Sequence, residues 1–150
     1  MQHSVTYTDF TIKRSFKASV KNLYKMFADQ QSKELWFKGP NDYPTKHQMD
    51  FRVGGSELNS GKFHDGITHL FKAQYYDIVP NERIVYAYEM YLNNNRISVS
   101  LATLEFSEDG ENSKLVLRES GVFLDGFDTA ESRERGTKEL LNAIERALNS

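Results

Sequence analysis

The sequence predicts an α+β fold: a curved antiparallel sheet of about six to seven strands around one long C-terminal helix, with two short helices after the first strand. Three observations predict it. Segments of period-two hydrophobicity, separated by turn residues, fill most of residues 46–124. A helical period replaces them in two places, once just after the first strand and once over the last twenty residues. No linker, repeat or low-complexity run divides the 150 residues, so one domain, 1–150, is expected.

The elements follow in order. In "SVTYTDFTIKRSF" the residues Phe10, Ile12 and Phe16 share one parity, with Arg14 as the polar exception. "ASVKNLYKMFAD" turns helical, with Ser19 as N-cap and Val20, Leu23, Tyr24 and Phe27 on one stripe. A second helix is expected over about Ser32 to Phe37, stopped by Gly39-Pro40, with Lys38 to Pro40 free to let the next loop move. "HQMDFRV" places Met49, Phe51 and Val53 on one face, and Gly54-Gly55 marks a turn or bulge. "SELNSGKF" is a polar strand turning at "HDG". "ITHLFKAQYYDIV" and "RIVYAYEMYL" are strands rich in β-branched and aromatic residues, joined by a turn at Pro80-Asn81-Glu82. Asn93 to Asn95 close a hairpin, and "EDGEN" separates "RISVSLATLEFS" from "SKLVLRESGVF". In the final helix Gly136, Leu140, Ile144 and Leu148 recur at i+4, with Leu141, Ala143 and Ala147 widening the stripe.

Composition narrows the function. The net charge is -2, so no global basic field gathers nucleic acid or anionic lipid. No cysteine is present, which excludes disulfides, thiolate metal sites and cysteine nucleophiles. No apolar window reaches the ~18 residues of a membrane span, and the first ten residues lack a signal-peptide pattern. A soluble cytoplasmic protein, without membrane insertion, is expected.

Aromatic residues make up 13% of the chain, and many fall on inward strand parities. Met49 and Phe51; His69, Phe71 and Tyr75; Tyr86, Tyr88 and Met90; and Phe123 form that set, which with Trp36 makes the candidate ligand-binding surface. Two readings stand: a packed aromatic core, or rings around a cavity left between sheet and helix. The four histidines His3, His47, His64 and His69 show no metal-ligand spacing, so no metal and no cofactor are expected. His47 and His69 share the inward parity and suit hydrogen-bonded positions in a pocket wall. Glu119 shares parity with Leu115, Leu117 and Phe123. It is expected to pair with Arg14 or with neighbours of Arg118; unpaired and buried, it would suit acid-base work beside His69. No nucleophile elbow and no phosphate loop occurs.

The motifs "VKNLYKMFADQQSKELWF", "MDFRVGG", "YYDIVPNERIVYAYEM", "ATLEFSEDGENSKLVLRESGVF" and "GTKELLNAIERAL" occur in that order. Together, over roughly Phe10 to Leu148, they resemble the single-domain START-like (SRPBCC) proteins related to the C-terminal domain of the activator of the heat-shock-protein-90 ATPase. That resemblance implies the helix-grip fold and a small hydrophobic ligand, lipid-like, polyketide or aromatic, held between sheet and helix without catalysis. It places Trp36 near the cavity mouth, Gly54-Gly55 after the second strand, and Pro80 and Arg83 in the turn into the next strand. Gly136 is followed by Thr137 where the family often has Gly-Trp. Two alternatives accompany this reading: a cyclase or aromatase using Glu119 or His69, and a co-chaperone-like module binding a protein partner as a monomer or homodimer.

Overall fold

The computed structural model describes residues 2–37, 45–63 and 65–150. The elements run β1 (Val5–Phe16), α1 (Val20–Ala28), α2 (Gln30–Glu34), β2 (Lys46–Met49), β3 (Ser56–Lys62), β4 (Thr68–Val79), β5 (Arg83–Leu92), β6 (Asn95–Asp109), β7 (Asn112–Leu124) and α3 (Ala130–Leu148). The seven strands form one antiparallel sheet in the order β1-β7-β6-β5-β4-β3-β2. The sheet curves, and the helices cover its inner face, as expected for the helix-grip fold. No described helix is long and apolar enough to cross a membrane.

The core sits where α1 and the second half of α3 meet β1, β6 and β7. Phe10, Ile12 and Phe16 of β1 and Leu104, Leu115 and Leu117 pack there against Leu23, Phe27, Leu141 and Ile144. Phe106 anchors the cluster, meeting Tyr24 and Phe27 edge-on at 5.4 and 5.6 Å. Caps start all three helices: Ser19 Oγ accepts from Asn22 N, Asp29 from Ser32 N, and Thr129 from Ser132 N.

Three local expectations are corrected. Helix α2 spans Gln30–Glu34 rather than Ser32 to Phe37, because Asp29 caps it and its hydrogen bonds end by Trp36 and Phe37. Val53 does not share the inward face of Met49 and Phe51. β2 ends at Met49, the chain turns through residues 50–55, and Val53 is 57% exposed. Gly136 lies outside the buried stripe of α3, and a side chain there would meet nothing within 4 Å. Steps of four residues overshoot a 3.6-residue turn by about 40° each, so a strict i+4 row drifts off the face that Leu141 and Ile144 bury. The expected hinge at Lys38 to Pro40, and His64, fall outside the described residues.

At Gly54-Gly55 the requirement is close approach. A Cβ on Gly55 would stand 2.0 Å from the Asp50 carbonyl oxygen, while Gly54 N–H and Gly55 C=O bond the backbone of Tyr75. The turn thereby ties the start of β3 to the middle of β4.

Candidate functional site

Strand pairing lays the inner face out in rows. One row runs Ala73, Tyr88, Ser100, Gly121, Thr8; the next runs Tyr75, Tyr86, Ala102, Glu119, Phe10. Rings stand on β4 and β5, whereas β6 and β7 present the small residues Ser98, Ser100, Ala102 and Gly121. Phe71, Ala73, Tyr88 and Ala102 form an apolar cluster of their own, separate from the main core. Phe71 stands 4.9 Å from Phe37 and 5.0 Å from Tyr88 between ring centroids. Helix α3 packs on β1 and α1, and over β5–β7 the long side chain of Arg133 spans from helix to sheet.

Two buried ionic clusters bracket this surface. In the first, Glu57 on β3 is 1% exposed and accepts from Lys33 Nζ at 2.6 Å and from the Tyr75 hydroxyl. Each ring nitrogen of His47 faces a carboxylate, Glu57 at 2.7 Å and Glu34 at 2.8 Å. Burial alone would raise the pKa of Glu57, but the Lys33 charge and the bonds from His47, Lys33 and Tyr75 outweigh it and hold the carboxyl at about 2. The Glu57 bond raises His47 in turn. Lys33 Nζ also lies 5.1 Å from the Phe37 ring and 5.9 Å from Trp36.

In the second cluster Glu119 on β7 is 4% exposed and accepts from the Tyr88 hydroxyl at 2.7 Å. Arg133 donates to that hydroxyl and to Ser98 Oγ, both at 2.9 Å, and to Asp128 at 3.1 Å. Glu119 Oε2 lies 3.7 Å from Arg133 Nη1 but takes no hydrogen bond, and desolvation raises the pKa of the carboxyl. The guanidinium also sits 5.0 Å over the Phe123 ring. Glu119 therefore pairs with Tyr88 and Arg133 instead of Arg14, which reaches Glu145 at 3.2 Å.

Tyr86 stands between the clusters. Its ring is half-buried, and burial with the nearby Tyr88, Glu119 and Glu57 raises its pKa well above the ordinary value. It makes no hydrogen bond to another described side chain or backbone group. Met90 and Phe37, packed against the Phe71 cluster, are half-buried too. On the opposite, outer face of the sheet an open groove of about 460 Å³ is lined by Ser56, Lys72, Gln74, Tyr76, Glu89 and Val99.

The structure gathers Phe71, Tyr86, Tyr88 and Met90 on one surface, with Phe123 under Arg133 beside it. Met49 and Phe51 pack at the edge of the main core, where Phe51 meets Tyr75 at 5.0 Å. Trp36 is 7% exposed, donates its indole N–H to the Met26 carbonyl at 2.8 Å and lies 5.1 Å from Phe27. It is joined to the Phe71 cluster through Phe37. His47 is hydrogen-bonded as expected. His69 differs: its Nε2 is buried without a hydrogen-bond partner among the described residues, the ring lying 4.8 Å from Phe63. Sequence reasoning missed Lys33, Glu57 and Arg133. Glu57 had a signal, an inward parity in an otherwise polar strand; Lys33 and Arg133 read as ordinary helix-surface cations.

Gly121 permits this layout. A Cβ there would lie 2.2 Å from the Val99 carbonyl oxygen and 2.7 Å from Ser100 Cα, so β6 and β7 approach too closely for a side chain. Gly121→Ala is expected to cost about 1–3 kcal/mol in urea unfolding, as overpacking does; an unchanged midpoint would show that the strands separate freely.

A search of curated proteins finds no match. Among solved structures, an uncharacterised protein from Rhizobium leguminosarum superposes with a TM-score of 0.94 at 36% identity, covering 99% of each chain. A protein from Rhizobium loti gives 0.89 at 36% identity, over 97% of this chain and 99% of its own. A more distant protein from Chromobacterium violaceum, 20% identical, shares the fold with a TM-score of 0.80 over 95% of this chain and 98% of its own. The family described as Activator of Hsp90 ATPase homolog 1-like protein matches residues 17–149. With nearly the whole chain matched, the protein belongs to that family, a START-like (SRPBCC) domain.

Proposed function

We propose that the chain binds a small hydrophobic molecule on the inner face of the sheet, between β4–β7 and the first turns of α3, without transforming it. The observation that carries this reading is the surface around Tyr86. Half-buried Tyr86, Met90 and Phe37 adjoin buried rings and a floor of small residues, and that is the make-up of a ligand site: apolar walls with a few placed polar groups. The family fold supports ligand binding or a related function. Phe71, Tyr86, Tyr88 and Met90 supply the walls, and Phe37 links them to Trp36 as a fluorescent reporter.

The test is titration of the purified protein with dodecanoic acid and with biphenyl derivatives, following Trp36 emission, thermal midpoint and native mass. Saturable quenching is expected. At a hundredfold excess over Kd, a ligand bound only to the folded chain adds about 2.7 kcal/mol, or roughly 5–10 °C in a domain of this size. A flat titration across every probe, with only the bare chain in the mass spectrum, would overturn the reading. Turnover of an added polyketide-like substrate, lost in Glu119→Gln, would favour the cyclase reading instead.

A further inference from the structure

Three buried polar atoms without a hydrogen-bond partner among the described residues lie on one part of the inner face. Ser100 and Thr8 flank Gly121 on the strands either side of it, and Glu119 precedes it by two residues on the same face. Ser100 is 2% exposed, Thr8 7% and Glu119 4%, yet Ser100 Oγ, Thr8 Oγ1 and Glu119 Oε2 have no hydrogen-bond partner among the described residues. A buried group left without a partner destabilises the fold relative to a satisfied one. Three on neighbouring strands supply the donors and acceptors that a bound polar group needs.

The free valences say what fits. Arg133 donates to Tyr88, Ser98 and Asp128, so three of its five N–H donors are already engaged by the protein. Glu119 Oε2 offers an acceptor, and Ser100 and Thr8 offer hydroxyls that donate or accept. A ligand carboxylate would place two like-charged groups side by side at Glu119. A ligand ammonium would stand beside Arg133, whose Nη1 is 3.7 Å from Glu119 Oε2. A neutral hydroxyl meets neither objection, because it donates and accepts at once.

We propose that the ligand carries an alcohol or phenol at its inner end, its O–H donating to Glu119 Oε2 and its oxygen accepting from Ser100 Oγ. The inference rests on the binding surface proposed above and adds the head group to it. The apolar remainder of the molecule lies along Tyr86, Phe71 and Met90, on the β4–β5 side of the same rows.

A matched series isolates the head group: biphenyl, 4-hydroxybiphenyl, biphenyl-4-carboxylate and 4-(aminomethyl)biphenyl, each titrated by calorimetry and Trp36 emission. The phenol is expected to bind at least tenfold more tightly than the other three, the factor that about 1.4 kcal/mol of net hydrogen bonding gives. In Ser100→Ala that margin over biphenyl falls to roughly threefold or less. A crystal structure of the phenol complex is expected to place its oxygen against Glu119 and Ser100. Equal binding of biphenyl and the phenol would overturn the head-group assignment while leaving the hydrophobic site standing. Preference for the carboxylate or the amine would overturn it in favour of Arg133 or Glu119 as a charged anchor. Failure of all four and of dodecanoic acid to bind would overturn both readings, and so separates the two cases. A phenol oxygen found elsewhere, with water left against Glu119 and Ser100, would also overturn the assignment.

Discussion

Glu57→Ala is expected to lower the stability of the folded chain by about 3–5 kcal/mol, the range for breaking a buried ion pair. The loss comes less from the attraction removed than from what remains. Lys33, 6% exposed, would keep its ammonium in the interior beside ring faces and without its carboxylate, and the Tyr75 hydroxyl would lose its acceptor. Urea unfolding checks the size. Replacing both partners, as Lys33→Met with Glu57→Met, is expected to cost less than Glu57→Ala alone, since no bare charge is left behind. A single-variant loss below about 1 kcal/mol would mean that α2 is held by packing instead.

The same cluster sets a pH window. Glu57, depressed to about 2 from an ordinary 4.5, contributes stability above 4.5 that is lost as pH falls toward 2, about 3 kcal/mol in all. His47 is raised from 6.5, so its contribution is complete below 6.5 and is lost as pH rises through its folded value. The cluster is therefore strongest between about 4.5 and 6.5. In Glu57→Ala both limbs are expected to flatten.

Arg133→Met is expected to cost about 3 kcal/mol. It removes donors to Tyr88, Ser98 and Asp128 and the cation beside Glu119, whose carboxyl is already raised by burial. A carboxyl raised in the folded state weakens the fold as pH climbs from its ordinary value to its folded one. With Arg133 gone that weakening should extend to higher pH, visible in unfolding midpoints taken from pH 4 to 8. Adding Glu119→Gln to Arg133→Met is expected to recover part of the loss, because a neutral amide does not need the cation. A double variant no more stable than Arg133→Met would show that the charge pairing is not what matters at this position.

The architecture was largely legible because its signals are periodic. The alternation of "ITHLFKAQYYDIV" and "RIVYAYEMYL" fixes which side chains point inward, and seven strands and three helices stand in the expected order. The ionic clusters were not legible. Lys33 and Arg133 lie on helices among other charges, and only the pairing of β3 with β4 and of β6 with β7 brings carboxylates beneath them. Glu119 was seen to point inward, yet its partner lay in a helix reached by no local rule. The helix of Gln30–Glu34 was shifted because Asp29 caps it, and Asp29 reads equally well as the last turn of the preceding helix.

The two halves of α3 are secured by different means, apolar packing around Ile144 and a single polar side chain at Arg133. Eleven residues separate these points, about 16 Å at 1.5 Å per residue. The helix is thus held at two points of different chemistry, with the hydrophobic core at one of them. A tilt of about 10° at the core end lifts the Arg133 end by roughly 3 Å, the width of a water molecule, from the axial rise alone. Lifting that end would exchange one set of hydrogen bonds and leave the core around Ile144 packed.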